Sequence, residues 1–134
     1  MGFSYMNPVS FTVILTDQTA DANLPLFKMP YAGRLRSPVW IARRGGTLPG
    51  NTTSHLKVSM MNGGTAGTGT VFIGARGGSA VLWGVTTVYS IAITSSVFLV
   101  NEWIKVRLNE EGTISYVDLI FSLTVDYGKD ARAG

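Results

Sequence analysis

The residues of this chain able to do acid–base, metal or nucleophilic chemistry are few. There is one histidine, His55, and there is no cysteine. A metal site built from His and carboxylates normally needs two or three such ligands close together. The pair Asp17 and Asp21 lacks the dense oxygen ligands and the glycine of a calcium loop. The carboxylates are Asp17, Asp21, Glu102, Glu110, Glu111, Asp118, Asp126 and Asp130. No spacing among them selects a pair for glycoside hydrolysis, and most fall at turns or on wetted strand faces. Ser79 follows Gly78 but is followed by Ala80, so it does not form a Gly-x-Ser-x-Gly elbow. The glycine-rich run from Asn62 to Gly69 has no Lys-Ser/Thr after it and no helix to follow, so a hairpin loop is expected there and not a phosphate cradle. The sequence therefore predicts no catalytic set, no cofactor and no metal, and hence a protein that is not an enzyme.

Recognition by contact is better supplied. Trp40, Trp83 and Trp103 can stack on sugar rings or anchor a protein interface. Trp40 falls in a hydrophobic strand and is expected in the core. Trp83 stands beside Gly84 after the Gly77-Gly78 bend, which points to a loop or an interface. Trp103 is out of phase with Ile104, Val106 and Leu108, so it should face away from them, partly exposed or covered by a neighbouring subunit. Arg34, Arg36, Arg43 and Arg44 cluster in sequence, with Lys28 and Arg76 outside the cluster. They read as a solvated strand end more than as a contact for an acidic partner.

The elements that must carry these residues are strands. From Val117 to Tyr127 the odd positions are apolar, while Asp118, Ser122, Thr124 and Asp126 take most of the even ones, a period of two with one face buried. The same alternation marks Phe11 to Leu15, Leu56 to Met60 and Ile104 to Leu108. Val71 to Ile73 and Val85 to Thr94 read as strands by composition. Gly33 to Ala42 reads as a strand that Pro38 confines to an edge or a bulge. Asn109 to Gly112 resembles a hairpin turn closed by Gly112 in the left-handed region. Asp17 to Pro30 reads as a long connection of the kind a Greek key uses. No window reads as a helix. Seven or eight strands at this spacing predict an all-β fold, a jelly-roll-like antiparallel β-sandwich of about eight strands.

The length of 134 residues suits a single domain, 1–134, with an N-terminal arm over 1–8 and a C-terminal tail over 129–134. Charged residues make up 14% of the chain, against about 25% in an ordinary soluble domain. Thr, Ser, Gly and Asn take their place, which suits either a strand-rich chain or a surface packed against others. The net charge of +3 is too mild, and too little interleaved with aromatics, to predict direct nucleic-acid binding. No apolar run approaches the roughly 20 residues that span a bilayer, and the first ten residues lack the pattern of a signal peptide. No membrane association is expected.

Three stretches carry a resemblance: Phe-Lys-Met-Pro-Tyr-Ala-Gly-Arg-Leu (Phe27 to Leu35), Val-Ser-Met-Met-Asn-Gly-Gly-Thr-Ala-Gly-Thr-Gly (Val58 to Gly69) and Asn-Glu-Trp-Ile-Lys-Val-Arg-Leu-Asn-Glu-Glu-Gly-Thr-Ile-Ser (Asn101 to Ser115). From about Val9 to Gly128 the chain resembles small virion structural proteins of tailed bacteriophages, especially capsid decoration (cement) proteins. These share no invariant motif, so no functional residue transfers one by one. The resemblance implies a jelly-roll-like homotrimer, made in the host cytoplasm, that sits on the outer capsid and clamps subunits of the major capsid protein. The candidate capsid or inter-subunit contacts are Met1, Phe3 and Tyr5 of the arm, Arg43 and Arg44, Trp83, Trp103, and Lys129 and Arg132 of the tail. The rival readings are a receptor- or carbohydrate-binding tip module of a virion fibre, a self-assembling coat subunit and, last, a small β-barrel enzyme.

Overall fold

The computed structural model describes residues 8–16, 22–48, 51, 53–77, 83–84, 87–94 and 97–128. Among them are ten strands and no helix: β1 (Val9–Thr16), β2 (Ala22–Lys28), β3 (Gly33–Leu35), β4 (Val39–Arg44), β5 (His55–Asn62), β6 (Val71–Gly77), β7 (Tyr89–Ile91), β8 (Val97–Phe98), β9 (Trp103–Glu111) and β10 (Asp118–Tyr127).

In the first sheet β10 is central. β1 pairs along one side of it, and β4 and β3 follow one another along the other. β7 lies beyond β4, and β8 beyond β3. The second sheet runs β2-β9-β5-β6, and every pairing in both sheets is antiparallel. β3 and β4 are one strand interrupted near Pro38, and β7 and β8 form the line beside it, so each sheet is four strands wide. The pairing is then nested: first line with last (β1–β10), second with seventh (β2–β9), third with sixth (β3/β4–β7/β8) and fourth with fifth (β5–β6). A long hairpin rolled into two facing sheets has this order, and it is the jelly roll. The eight-strand sandwich expected from the sequence is the fold observed.

Alternation explains which side of each strand is buried. Leu119, Phe121, Leu123, Val125 and Tyr127 of β10 face Leu56, Val58, Met60, Ile104, Val106 and Leu108 of the second sheet within one core cluster. Each large apolar side chain enclosed there contributes about 1.5–3 kcal/mol over its exposed state. At the open edge of the sandwich the Phe11 ring of β1 meets the Phe27 ring of β2 at 4.4 Å between centroids, joining the two sheets.

Several local readings are corrected. Gly33 to Ala42 is not continuous: it divides into β3 and β4, with Pro38 in the gap between them. The supposed connection from Asp17 to Pro30 contains β2, in which Pro25 is tolerated because β2 is an edge strand and its register shifts between Pro25 and Phe27. Asn109 to Glu111 belong to β9, and β9 and β10 lie in different sheets. Gly112 is left-handed as expected, with φ of 69°, but it starts a crossing between sheets and not a hairpin. A Cβ there would overlap the Thr53 carbonyl oxygen. The glycine-rich run after Asn62 does close the β5–β6 hairpin. Val117 precedes β10 and is exposed, outside the alternation assigned to it. Of the stretch Val85 to Thr94, only Tyr89–Ile91 is strand among the described residues.

Candidate interaction surfaces

Met1, Phe3, Tyr5, Lys129 and Arg132 lie outside the described residues. The other candidates fall in four different settings. Arg43 belongs to β4 in the phase of Val39 and Ile41, so it points into the sandwich. Its Nε donates to the Trp83 carbonyl oxygen at 2.6 Å, and its guanidinium also donates to the carbonyls of Gly45 and Gly46. Burial lowers its pKa from the ordinary arginine value, with Tyr89 acting in the opposite direction. Arg43 is thus a strap at one end of the core and not a solvated strand end. Its neighbour Arg44 is exposed and binds Asp118 of β10.

The two central tryptophans exchange the places expected of them. Trp83 is fully buried, donating from Nε1 to the Leu56 carbonyl at 3.1 Å and meeting the Tyr89 ring edge-on. The Arg76 guanidinium lies 3.9 Å from the Tyr89 centroid, within cation–π reach. Trp40 is 47% exposed, because its neighbours Val39 and Ile41 take the inward phase. Trp103 is half-buried on the outer side of the second sheet, on the face its phase assigns.

These placements define two outer faces. On the first sheet the register aligns Thr12, Ser122, Trp40 and Ser90 in one row, and Ile14, Ile120 and Ala42 in the next. Ile14 is 57% exposed, as is Val88 just before β7 at 60%. Ser10 and Thr124 extend the face with a 2.8 Å hydroxyl–hydroxyl bond. No ionisable side chain stands in these rows. Ion pairs close both ends of the face. Arg44 meets Asp118 at one, and Arg36 grips Asp126 at 2.8 and 3.2 Å at the other. The sequence marked none of Ile14, Trp40 or Val88 as a contact, although the phase of Val39 and Ile41 contained the signal for Trp40.

The second sheet's outer face differs in character. Pro25, Lys105, Met61 and Phe72 stand in one row, and Asn23, Arg107, Ser59 and Ala75 in the next. Lys28 and Lys57 lie on the same side, while Glu111 at the end of β9 is its one acid among the described residues. The 63–69 loop folds against this side through hydrogen bonds between the backbones of Gly63, Gly64 and Trp103. His55 lies at the far end, its ring Nδ1 2.9 Å from the Asn51 carbonyl. Among the described residues no three His, Asp or Glu side chains gather where they could hold a metal ion.

No protein-family model matches the sequence, and no curated protein matches it. A chain in the structure of the infectious bursal disease virus Gx strain is similar to it. The identity is 8% and the TM-score 0.38, over 90% of this chain and 32% of that one. The present chain thus spans about a third of its neighbour's length.

Proposed function

We propose that this chain is a virion structural protein that works by contact, and specifically a capsid decoration protein. On this reading it binds the outside of an assembled phage head as a homotrimer and holds neighbouring major capsid subunits together, with no catalytic step. The observation that carries the reading is the outer face of the first sheet. Interface centres are depleted of charge and rimmed by polar groups. Here Ile14, Ile120, Trp40 and hydroxyl side chains fill the middle, and the pairs Arg44–Asp118 and Arg36–Asp126 form the rim. An open four-stranded face of this kind suits a protein partner better than a small molecule, which favours concave sites. Contiguous exposed apolar surface on a small domain commonly marks such a contact.

The energetic logic is mass action. A protein that binds the assembled shell and not its free subunits stabilises the shell in proportion to its affinity. Repetition by symmetry adds avidity without requiring a strong single contact. The test is sedimentation of purified protein with expanded, undecorated heads of the phage that carries it. Co-sedimentation at micromolar protein supports the reading, and protein left in the supernatant overturns it. Closed particles formed by this chain alone would instead make it a coat subunit.

A further inference from the structure

We infer that the outer face of the second sheet is a docking site for an acidic, extended protein segment, with one carboxylate seated on Lys105. The face is opposite the one on which the proposed function rests, and the inference stands independently of that reading. Lys105 occupies a central strand yet is only 4% exposed. Its stem is enclosed by the 63–69 loop, so that a Cβ added at Gly63 would stand 3.2 Å from its Cδ. Among the described residues its ammonium has neither a hydrogen bond nor an ion pair. The stem is enclosed while the ammonium tip still reaches solvent, which leaves an unpaired cation open to an incoming anion. The surroundings favour an anion. Lys28, Lys57 and Arg107 share the face, Arg107 with only the neutral Asn23 side chain as its acceptor among the described residues, and Glu111 is confined to the far end.

The same geometry selects the kind of anion. Lys105 is flanked in register by Pro25 on one side and by Met61 and then the exposed Phe72 on the other. A carboxylate borne between aliphatic side chains meets both the ammonium and this apolar row. A nucleic-acid strand lays down phosphates at regular intervals and stacks its bases on open aromatic faces. Here Lys28, Lys105, Arg107 and Lys57 stand in four successive outward rows, but Gly67 already covers the pyrrole part of the Trp103 ring, its Cβ position lying 3.3 Å from Cδ1, so the row of cations is not matched by a row of open aromatic faces.

The experiment is an NMR titration of the isotope-labelled full chain with a synthetic peptide of alternating Glu and Val. The same peptide with Gln in place of Glu, and an oligothymidylate, serve as comparators. The inference predicts saturable shifts of the Trp103 indole N–H and of the amides around Lys105 and Met61, with those of Ser122 and Trp40 unmoved. The Gln peptide should bind at least tenfold more weakly. Lys105→Met, which keeps the stem and the packing, should weaken the Glu peptide by at least tenfold. Should Lys105→Met disturb the spectrum, Arg107→Gln together with Lys57→Gln provides the comparison, with a loss of similar size. Added salt should weaken the binding further. No shifts at millimolar Glu peptide, equal binding of the Gln peptide, undiminished binding by the variants, or tighter binding of oligothymidylate on the same residues would each overturn it.

Discussion

Arg43 Nε donates to the main-chain oxygen of Trp83, forty positions later in the chain, at 2.6 Å. The bond ties β4 of the first sheet to the segment that follows β6 of the second, at the end of the sandwich where Trp83 also donates to Leu56. A charged donor satisfies carbonyls there that no strand ladder reaches. Arg43→Met should therefore leave the carbonyl of Trp83 unpaired inside the protein. The expected cost is about 1–3 kcal/mol, read as a lowered urea midpoint with an unchanged slope.

The tryptophans give a contrast. Trp83→Ala removes a wholly enclosed side chain and should cost about 3–5 kcal/mol. Trp40→Ala removes a side chain from an open sheet face and should change the stability of the isolated chain by about 0.5 kcal/mol or less. Equal costs at the two positions, measured by thermal or urea unfolding, would contradict the placement of either residue.

Legibility from sequence differs from strand to strand. β10 was legible because one face of it is buried and the other wet, so that five inward residues repeat with a period of two. Trp40 is drawn toward the core in the sequence because the strand around it is hydrophobic, although Val39 and Ile41 on either side fix it outward. Trp83 has no periodic context, and its burial is decided by Arg43 and Leu56, both distant in sequence, together with the nearby Tyr89 ring. Lys105 shares the outward phase of Trp103, but its enclosure comes from a loop beyond the reach of any strand pattern. The turn chemistry at Gly112 was read correctly, yet a local turn does not say which sheet the chain enters next. β2 went unseen because Pro25 interrupts its alternation.

Tyr127 adds a dependence on pH. Its ring packs edge-on against Tyr31, and burial, with Tyr31 adding to it, raises its pKa above the ordinary tyrosine value. In the unfolded chain the phenol ionises near 10, whereas the folded state holds the proton to higher pH. The unfolded state then binds fewer protons across that window, so stability falls as pH rises. The contribution is complete below about pH 10 and is lost as pH climbs through the folded value. Tyr127→Phe should flatten the alkaline limb of a stability–pH curve and leave neutral stability nearly unchanged. An unaltered alkaline limb would contradict the assignment.

The central claim is that the uncharged outer face of the first sheet is the surface by which this protein joins a virion. Sedimentation with expanded, undecorated heads should be run for the native chain beside Trp40→Glu and Ile14→Glu, both of which place a charge in the open middle of that face. The account predicts that the native chain pellets with the heads. It also predicts that both variants, folded and equally stable, stay largely in the supernatant. Variants that pellet as fully as the native chain, or a native chain that does not pellet, would contradict it.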